Sequence, residues 1–265
     1  MTIMLLYIAT GIFGGFLAGL LGLGGGVVVV IALDWIFTQT GMPANHIMHM
    51  AVATSLAVMI LTTQSSVRHH QKAGNINWEL YRQLIPGIVI GTIVGVIVAS
   101  FLDNSVMRTF FGICIFLIAL KMLFIVKVPP SRQLPGRVGI YSVSSLIGAQ
   151  SGFLGLGGGI ILIPFLAHCN VPLRQTIGMS AICSLTVALI ATMSSISVSW
   201  NVSDLPAWST GFIYWPAVAA IALPSVLLVP FGAWCSNRLP VNLLQRVFAV
   251  FLLCSGIHML WPFIN

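Results

Sequence analysis

The residues that could do chemistry in this sequence are two glycine strings. Gly22-Leu23-Gly24-Gly25-Gly26 recurs as Gly155-Leu156-Gly157-Gly158-Gly159, 133 positions later, and each copy runs into β-branched aliphatics, Val27 to Val30 and Ile160 to Ile163. Consecutive glycines disfavour a continuous helix by about 1 kcal/mol each relative to alanine. Each string is therefore expected to end one helix and begin another. A helix start leaves main-chain N–H groups without helical acceptors and carries about half a positive charge. Two such starts converging on one cavity offer about one elementary charge, which suits a monoanion, and glycine lets a ligand oxygen reach the backbone. The candidate binding residues are Gly24, Gly25 and Gly26 with Gly157, Gly158 and Gly159.

Neutral polar side chains complete the candidate site. Thr54 and Ser55 fall in the segment after Pro43, Ser180 falls in the matching segment after Pro172, and Gln150 and Ser151 lie one turn before the second string. Hydroxyls can donate to an anion without bringing in a charge. The competing use of each hydroxyl is a bond to its own helix carbonyl. Acids are scarce: Asp34, Glu79, Asp103 and Asp204 are the complete set, and only Asp34 is expected near a cavity. This argues against a carboxylate relay. Arg108 and Arg246 take matching places at the starts of the two last helices, where snorkelling to the interface is expected. No Ser or His has an oriented partner legible in the sequence, so neither nucleophilic catalysis nor a cofactor is expected. Nucleotide binding is excluded as well, since neither string satisfies GxGxxG or GxxxxGK[ST]. A separate set, His46, Met48, His49 and Met50, has the chemistry to hold a soft metal such as copper, but the second half offers only His168 and Cys169 in the comparable connection.

The elements that must position these residues follow from composition. With 58% hydrophobic residues, 6% charged residues and a mean hydropathy of +1.05, the chain is a polytopic membrane protein of the all-α class. The five cysteines lie singly in or beside apolar runs, as small buried hydrophobes do. The net charge of +7 fits cytoplasmic loop bias, with no nucleic-acid partner expected. The first residues lack the basic stretch of a signal peptide and have an internal counterpart at 139–154, so they are expected to belong to the fold. Apolar stretches of spanning length fall at 3–23, 47–67, 78–102, 106–126, 140–156, 176–198, 212–235 and 243–261, which predicts about eight full transmembrane helices. Two shorter pieces, 27–37 and 160–167, follow the strings and are too short to cross alone.

The duplication extends past the glycines. Gly74, Trp78, Gly95 and Leu102 recur as Gly211, Trp215, Gly232 and Leu239, each 137 later. This predicts a first repeat at 1–126, a cytoplasmic linker at 127–138 and a second repeat at 139–265. Inverted repeats obey the Lys/Arg rule better than parallel ones. They place the loop with Asp204 outside and Arg174 and Arg238 inside. The spaced glycines 11, 15 and 19, then 87, 91 and 95, and 148 with 152, read as helix-contact seams. Interrupted helices at matching places in two halves point to a transporter's central site.

The paired G-x-GGG strings, the proline followed by Ala53-Thr54-Ser55-Leu56, and the Gly74-x-x-x-Trp78 start of the next helix resemble the sulfite exporter TauE/SafE family of membrane transporters. The resemblance spans essentially the whole chain. It implies a multi-pass inner-membrane permease for sulfur-containing anions such as sulfite, sulfoacetate or thiosulfate. Met179-Ser180 stands where the second Thr-Ser pair would be, so the polar role carries over to Ser180 alone. The expected function is a permease for small anions working by alternating access, with a passive anion channel and a soft-metal transporter as alternatives. The bilayer is the expected environment, and a homodimer is one option for assembly.

Overall fold

A computed structural model describes residues 2–21, 25–123, 134–236 and 241–260. Helices stop where the glycines predict. The chain runs through α1 (Thr2–Leu21), α2 (Gly26–Gln39), α3 (Ile47–Lys72), α4 (Trp78–Ser100) and α5 (Asn104–Leu123). It continues through α6 (Arg137–Leu154), α7 (Gly159–His168), α8 (Leu173–Val198), α9 (Trp215–Ser236) and α10 (Val241–Leu260). Between α8 and α9 a two-stranded antiparallel ladder, β1 (Ser209–Thr210) with β2 (Ile213–Tyr214), departs from the all-helical expectation. Most of the expected linker, including its prolines 129 and 130, lies outside the described residues. Arg137 and Val138, expected in that linker, already belong to α6.

Among the described residues five helices are long and apolar enough to cross a membrane: Ile47–Lys72, Trp78–Ser100, Asn104–Leu123, Arg174–Val198 and Trp215–Gly232. Leu146, Leu223, Leu227 and Val247 face outward from their helices, a surface that suits acyl chains and not water. Trp78 and Trp215 stand exposed at the first positions of α4 and α9, and tryptophan is enriched at helix ends that meet a bilayer interface.

In such surroundings burying a leucine gains little over leaving it in lipid, so helices hold together by close backbone approach and a few hydrogen bonds. The spaced glycines supply that approach. Gly87 faces Tyr141 and Ser144, Gly91 faces Ser145 and Ala149, and Gly152 faces Thr92, so α4 and α6 run side by side in the same direction. Gly11 faces Ile221 and Pro224, and Gly15 faces Ser225, so α1 and α9 do the same; the Ser225 hydroxyl donates to the Gly11 carbonyl at 2.9 Å. Conversely, Gly112 faces Met259 and Leu260 while Gly256 faces Phe116, so α5 and α10 run antiparallel. The pair α3 and α8 is antiparallel too. His49 and Val52 share one small cavity with Ser195 and Val198, while Gly178 faces Asn75 just beyond the other end of α3.

These pairings exchange the halves. The first helix of each half packs on the fourth helix of the other, and the third and fifth helices each meet their own counterpart. The core is built on α3, whose Met48, Met50, Leu56 and Met59 are fully buried, together with Leu33, Ile36 and Phe37 of α2.

Candidate functional site

The second string shows how the sequence interrupts a helix. Gly155 closes α6 in the left-handed conformation, at φ 68°, with its N–H on the Ser151 carbonyl, and α7 starts at Gly159. Gly25 does the equivalent work ahead of α2, at φ 69°. Only glycine takes that conformation without strain. Gly24 lies outside the described residues, and Gly157 is buried between the two helices it separates.

The strings come together. A Cβ placed on Gly26 would lie 2.7 Å from the Gly155 carbonyl oxygen and 2.7 Å from Met59 Sδ, so the start of α2 abuts the end of α6 with no room for a side chain. Gly158 packs on Ile147 near the Ser151 hydroxyl, and Gly159 sits against the Ser180 hydroxyl. Gly25, by contrast, faces back onto Gly14 and Ala18 of its own first helix. The geometry thus brings together Gly26, Gly158, Gly159, Ser55, Ser151 and Ser180. A cavity of about 20 Å³, room for about one water, is lined by Val52 and Gly152 beside this cluster.

The hydroxyls differ in what they have left to give. Ser55 donates to the Gly26 carbonyl at 3.1 Å, tying α3 to the start of α2. Ser151 donates to Ile147 in its own helix at 2.6 Å. Thr54 accepts the Tyr214 N–H at 3.1 Å and so fastens the start of α9 to α3. Gln150 is half-buried on α6. Ser180 is 1% exposed, and its hydroxyl has no partner among the described residues. A buried hydroxyl left unpaired costs about 1–3 kcal/mol, and here it lies against the first residue of α7, where N–H groups are also unpaired by helix geometry.

One further residue was misjudged in the sequence. Arg108 does not snorkel to the interface: its Nη2 lies 2.9 Å from Asp34 Oδ2, and the Asp34 side chain is buried. The reason is the scarcity of acids, which makes Asp34 the one carboxylate that α5 can reach from inside the fold. The pair is separated by 74 positions and leaves no local signal. The Met/His set also behaves differently from a metal cage. His49 Nε2 lies 3.1 Å from the Ala99 carbonyl, His46 and His49 both pack on the Phe212 ring, and Met50 is fully buried. Among the described residues no three His, Cys, Asp or Glu side chains gather.

Comparison with known proteins adds a family. A family model described as Sulfite exporter TauE/SafE matches residues 7–259. A probable membrane transporter protein of Haemophilus influenzae is 33% identical over 266 residues, covering 97% of this chain and 98% of the relative. A probable membrane transporter protein of Methanocaldococcus jannaschii is 29% identical, covering 91% of this chain and 86% of the relative. A third, the probable membrane transporter protein YunE of Bacillus subtilis, is 24% identical over 88% of this chain and 85% of its own length. No solved structure matches the chain.

Proposed function

The chain belongs to the sulfite exporter TauE/SafE family of membrane transporters, and on that premise we propose that it is a secondary transporter for small sulfur-containing anions, sulfite, thiosulfate or an organosulfonate, in the cell membrane. The observation that carries this reading is the meeting of the two glycine strings beside the unpaired Ser180 hydroxyl. Main-chain N–H groups at Gly158 and Gly159, backed by Ser180, would hold an oxyanion through neutral donors and helix dipoles, without a cation at membrane depth. Gly26 on one side and Gly157 to Gly159 on the other form the two walls. Ser55, Ser151, Thr54 and Gln150 shape them.

In this reading the chain crosses the bilayer eight times and the halves are inverted, with α2 and α7 as arms that enter without crossing. Two helices related by a two-fold axis and running antiparallel must have that axis lying across them. The antiparallel pairs α5 with α10 and α3 with α8 both meet this condition. For helices that span the bilayer, the axis then lies in its plane, the arrangement that serves alternating access. Each half grips the other through α1 on α9 and α4 on α6, so rocking one half would move both walls of the site together.

The experiment is flux in proteoliposomes across sulfite, thiosulfate, sulfoacetate, taurine, phosphate and Cu(I). Saturable flux with counterflow of a sulfur oxyanion is the expected result. Single-channel currents would instead make the protein a pore, and Cu(I) flux alone would overturn the anion reading.

A further inference from the structure

We propose that Asp34 is a proton-binding site that couples anion movement to a proton gradient, with Arg108 as its counter-ion; this rests on the transporter reading above. The observations are of four kinds. First, Asp34 is 3% exposed, whereas Glu79, Asp103 and Asp204, the rest of the acids, are exposed. Second, the ion pair is half-made: Oδ2 meets Arg108 Nη2 at 2.9 Å, while Asp34 Oδ1 and Arg108 Nε have no partner among the described residues. Third, Asp34 lines a cavity of about 590 Å³ between α1, α2 and α10, whose other polar groups include Thr10, Ser255 and His258. In the proposal this cavity, which reaches the Asp34 side chain, is the proton's route. Fourth, the second half lacks the pair. The place matching Asp34 on α7, 133 later, is Ala167, and the place 137 after Arg108 is Gln245. One half of a duplicated protein thus carries a buried charge pair that the other half is built without.

Asp34 stands on the arm that starts at the site. It follows Gly26 by eight residues, about 12 Å along α2 at about 1.5 Å per residue. The charge balance is simple. With Asp34 ionised, the pair with Arg108 is neutral. A proton on Oδ1 makes it net +1, and a bound monoanion restores neutrality, so the proton and the anion load together. The groups facing Asp34 from its neighbours are Arg108 on α5 and His258 on α10, with Cys254 also lining the cavity. The α1 lining, Ala9, Thr10 and Phe13, has no ionisable group, and His49 of α3 is held by the Ala99 carbonyl. A unit charge removed about 12 Å from an anion held at Gly26, at an effective dielectric constant of about 20, changes affinity by about tenfold. Binding should therefore tighten as pH falls, because protonation removes the repelling carboxylate.

Two measurements test this. In wild-type protein held in nanodiscs, a hydrophobic carbodiimide, to whose carbon a protonated carboxyl adds with transfer of its proton to nitrogen, should label Asp34 at least fivefold more at pH 5.5 than at pH 8, read by peptide mass spectrometry. Absence of labelling at Asp34 across that range, or labelling that does not change with pH, overturns the proposal. In proteoliposomes, with methanesulfonate as a probe that stays a monoanion throughout, Asp34→Asn should continue to exchange anion while losing accumulation driven by a proton gradient. Undiminished accumulation in Asp34→Asn overturns the coupling while leaving the transporter reading intact. Failure of the wild type to move any sulfur anion overturns the transporter reading, and the labelling result still decides the proton site.

Discussion

Ser180→Ala separates an anion site from a packing seam because the two readings predict the same stability change but different ligand affinities. If the Ser180 hydroxyl only fills space, its unpaired oxygen is a liability of about 1–3 kcal/mol, and its removal should stabilise the protein with no effect on ligand. If the hydroxyl is reserved for an oxyanion, the stability change is the same but affinity falls. A hydrogen bond to a charged group is worth about 1.5–3 kcal/mol, so Kd for the transported anion should rise about 10- to 150-fold. The control is Ser55→Ala. Ser55 donates to the Gly26 carbonyl within the protein, and its loss should lower stability by about 1 kcal/mol and change Kd only through the resulting slack. The assay is thermal unfolding and ligand titration of both variants in the same detergent. A Ser180→Ala protein whose Kd stays within about twofold of wild type refutes the role given to this hydroxyl. So does one that loses stability as Ser55→Ala does, since the oxygen would then have a partner in the folded state.

Other variants probe the glycines and the fastening of the halves. Gly157→Leu should abolish sulfite or sulfonate flux in protein that still elutes as a folded species, whereas Gly91→Leu, driven into the Ser145 carbonyl, should lower the yield and melting temperature of folded protein. Equal loss of flux and folding in both would favour a purely structural role for the second string. Gly26→Ala puts a methyl 2.7 Å from the Gly155 carbonyl and Met59 Sδ, and should destabilise by about 1–3 kcal/mol, measured by thermal unfolding. Thr54→Val leaves the Tyr214 N–H without its acceptor and should lower stability by a similar amount, about 1–3 kcal/mol, with Thr54→Ser restoring it.

How much of this was legible in the sequence depends on the range of the interactions. Helix breaks at the strings, the short arms α2 and α7, and the starts of α4 and α9 at Trp78 and Trp215 are local consequences of glycine, hydropathy and span length, and they were readable. The seams at Gly91 and Gly152 were readable too, because small residues at four-residue spacing have few other uses in an apolar helix. What the sequence hid is which polar groups are already committed. Ser55 and Ser180 look alike in their segments, yet one is committed to a carbonyl 29 positions away and the other is not. Thr54 is bonded across 160 positions. Local reasoning also misplaced Arg108, because solvation favours snorkelling for an isolated arginine and only the fold supplies Asp34.

Those hidden commitments bear on how a duplicated protein comes to have direction. Two identical halves related by a two-fold axis would present the same groups to a ligand from either side. Here the walls are not equivalent. In the first half the Ser55 hydroxyl donates to the Gly26 carbonyl, and the arm carries Asp34 against Arg108. In the second half the corresponding hydroxyl, Ser180, is unpaired at Gly159, and the matching arm position is Ala167. On the proposed reading an anion would gain most from the Ser180 side, and a proton from the Asp34 side. Binding the anion would therefore stabilise one half and protonation the other, so the two events act on different sides of the same rocking motion. That division needs only a few substitutions on a symmetric frame, and reversing it tests it: Met179→Thr in the second half, which restores the Thr-Ser pair, should lower anion affinity if the new hydroxyl engages Ser180, and leave Kd unchanged if Ser180 stays free.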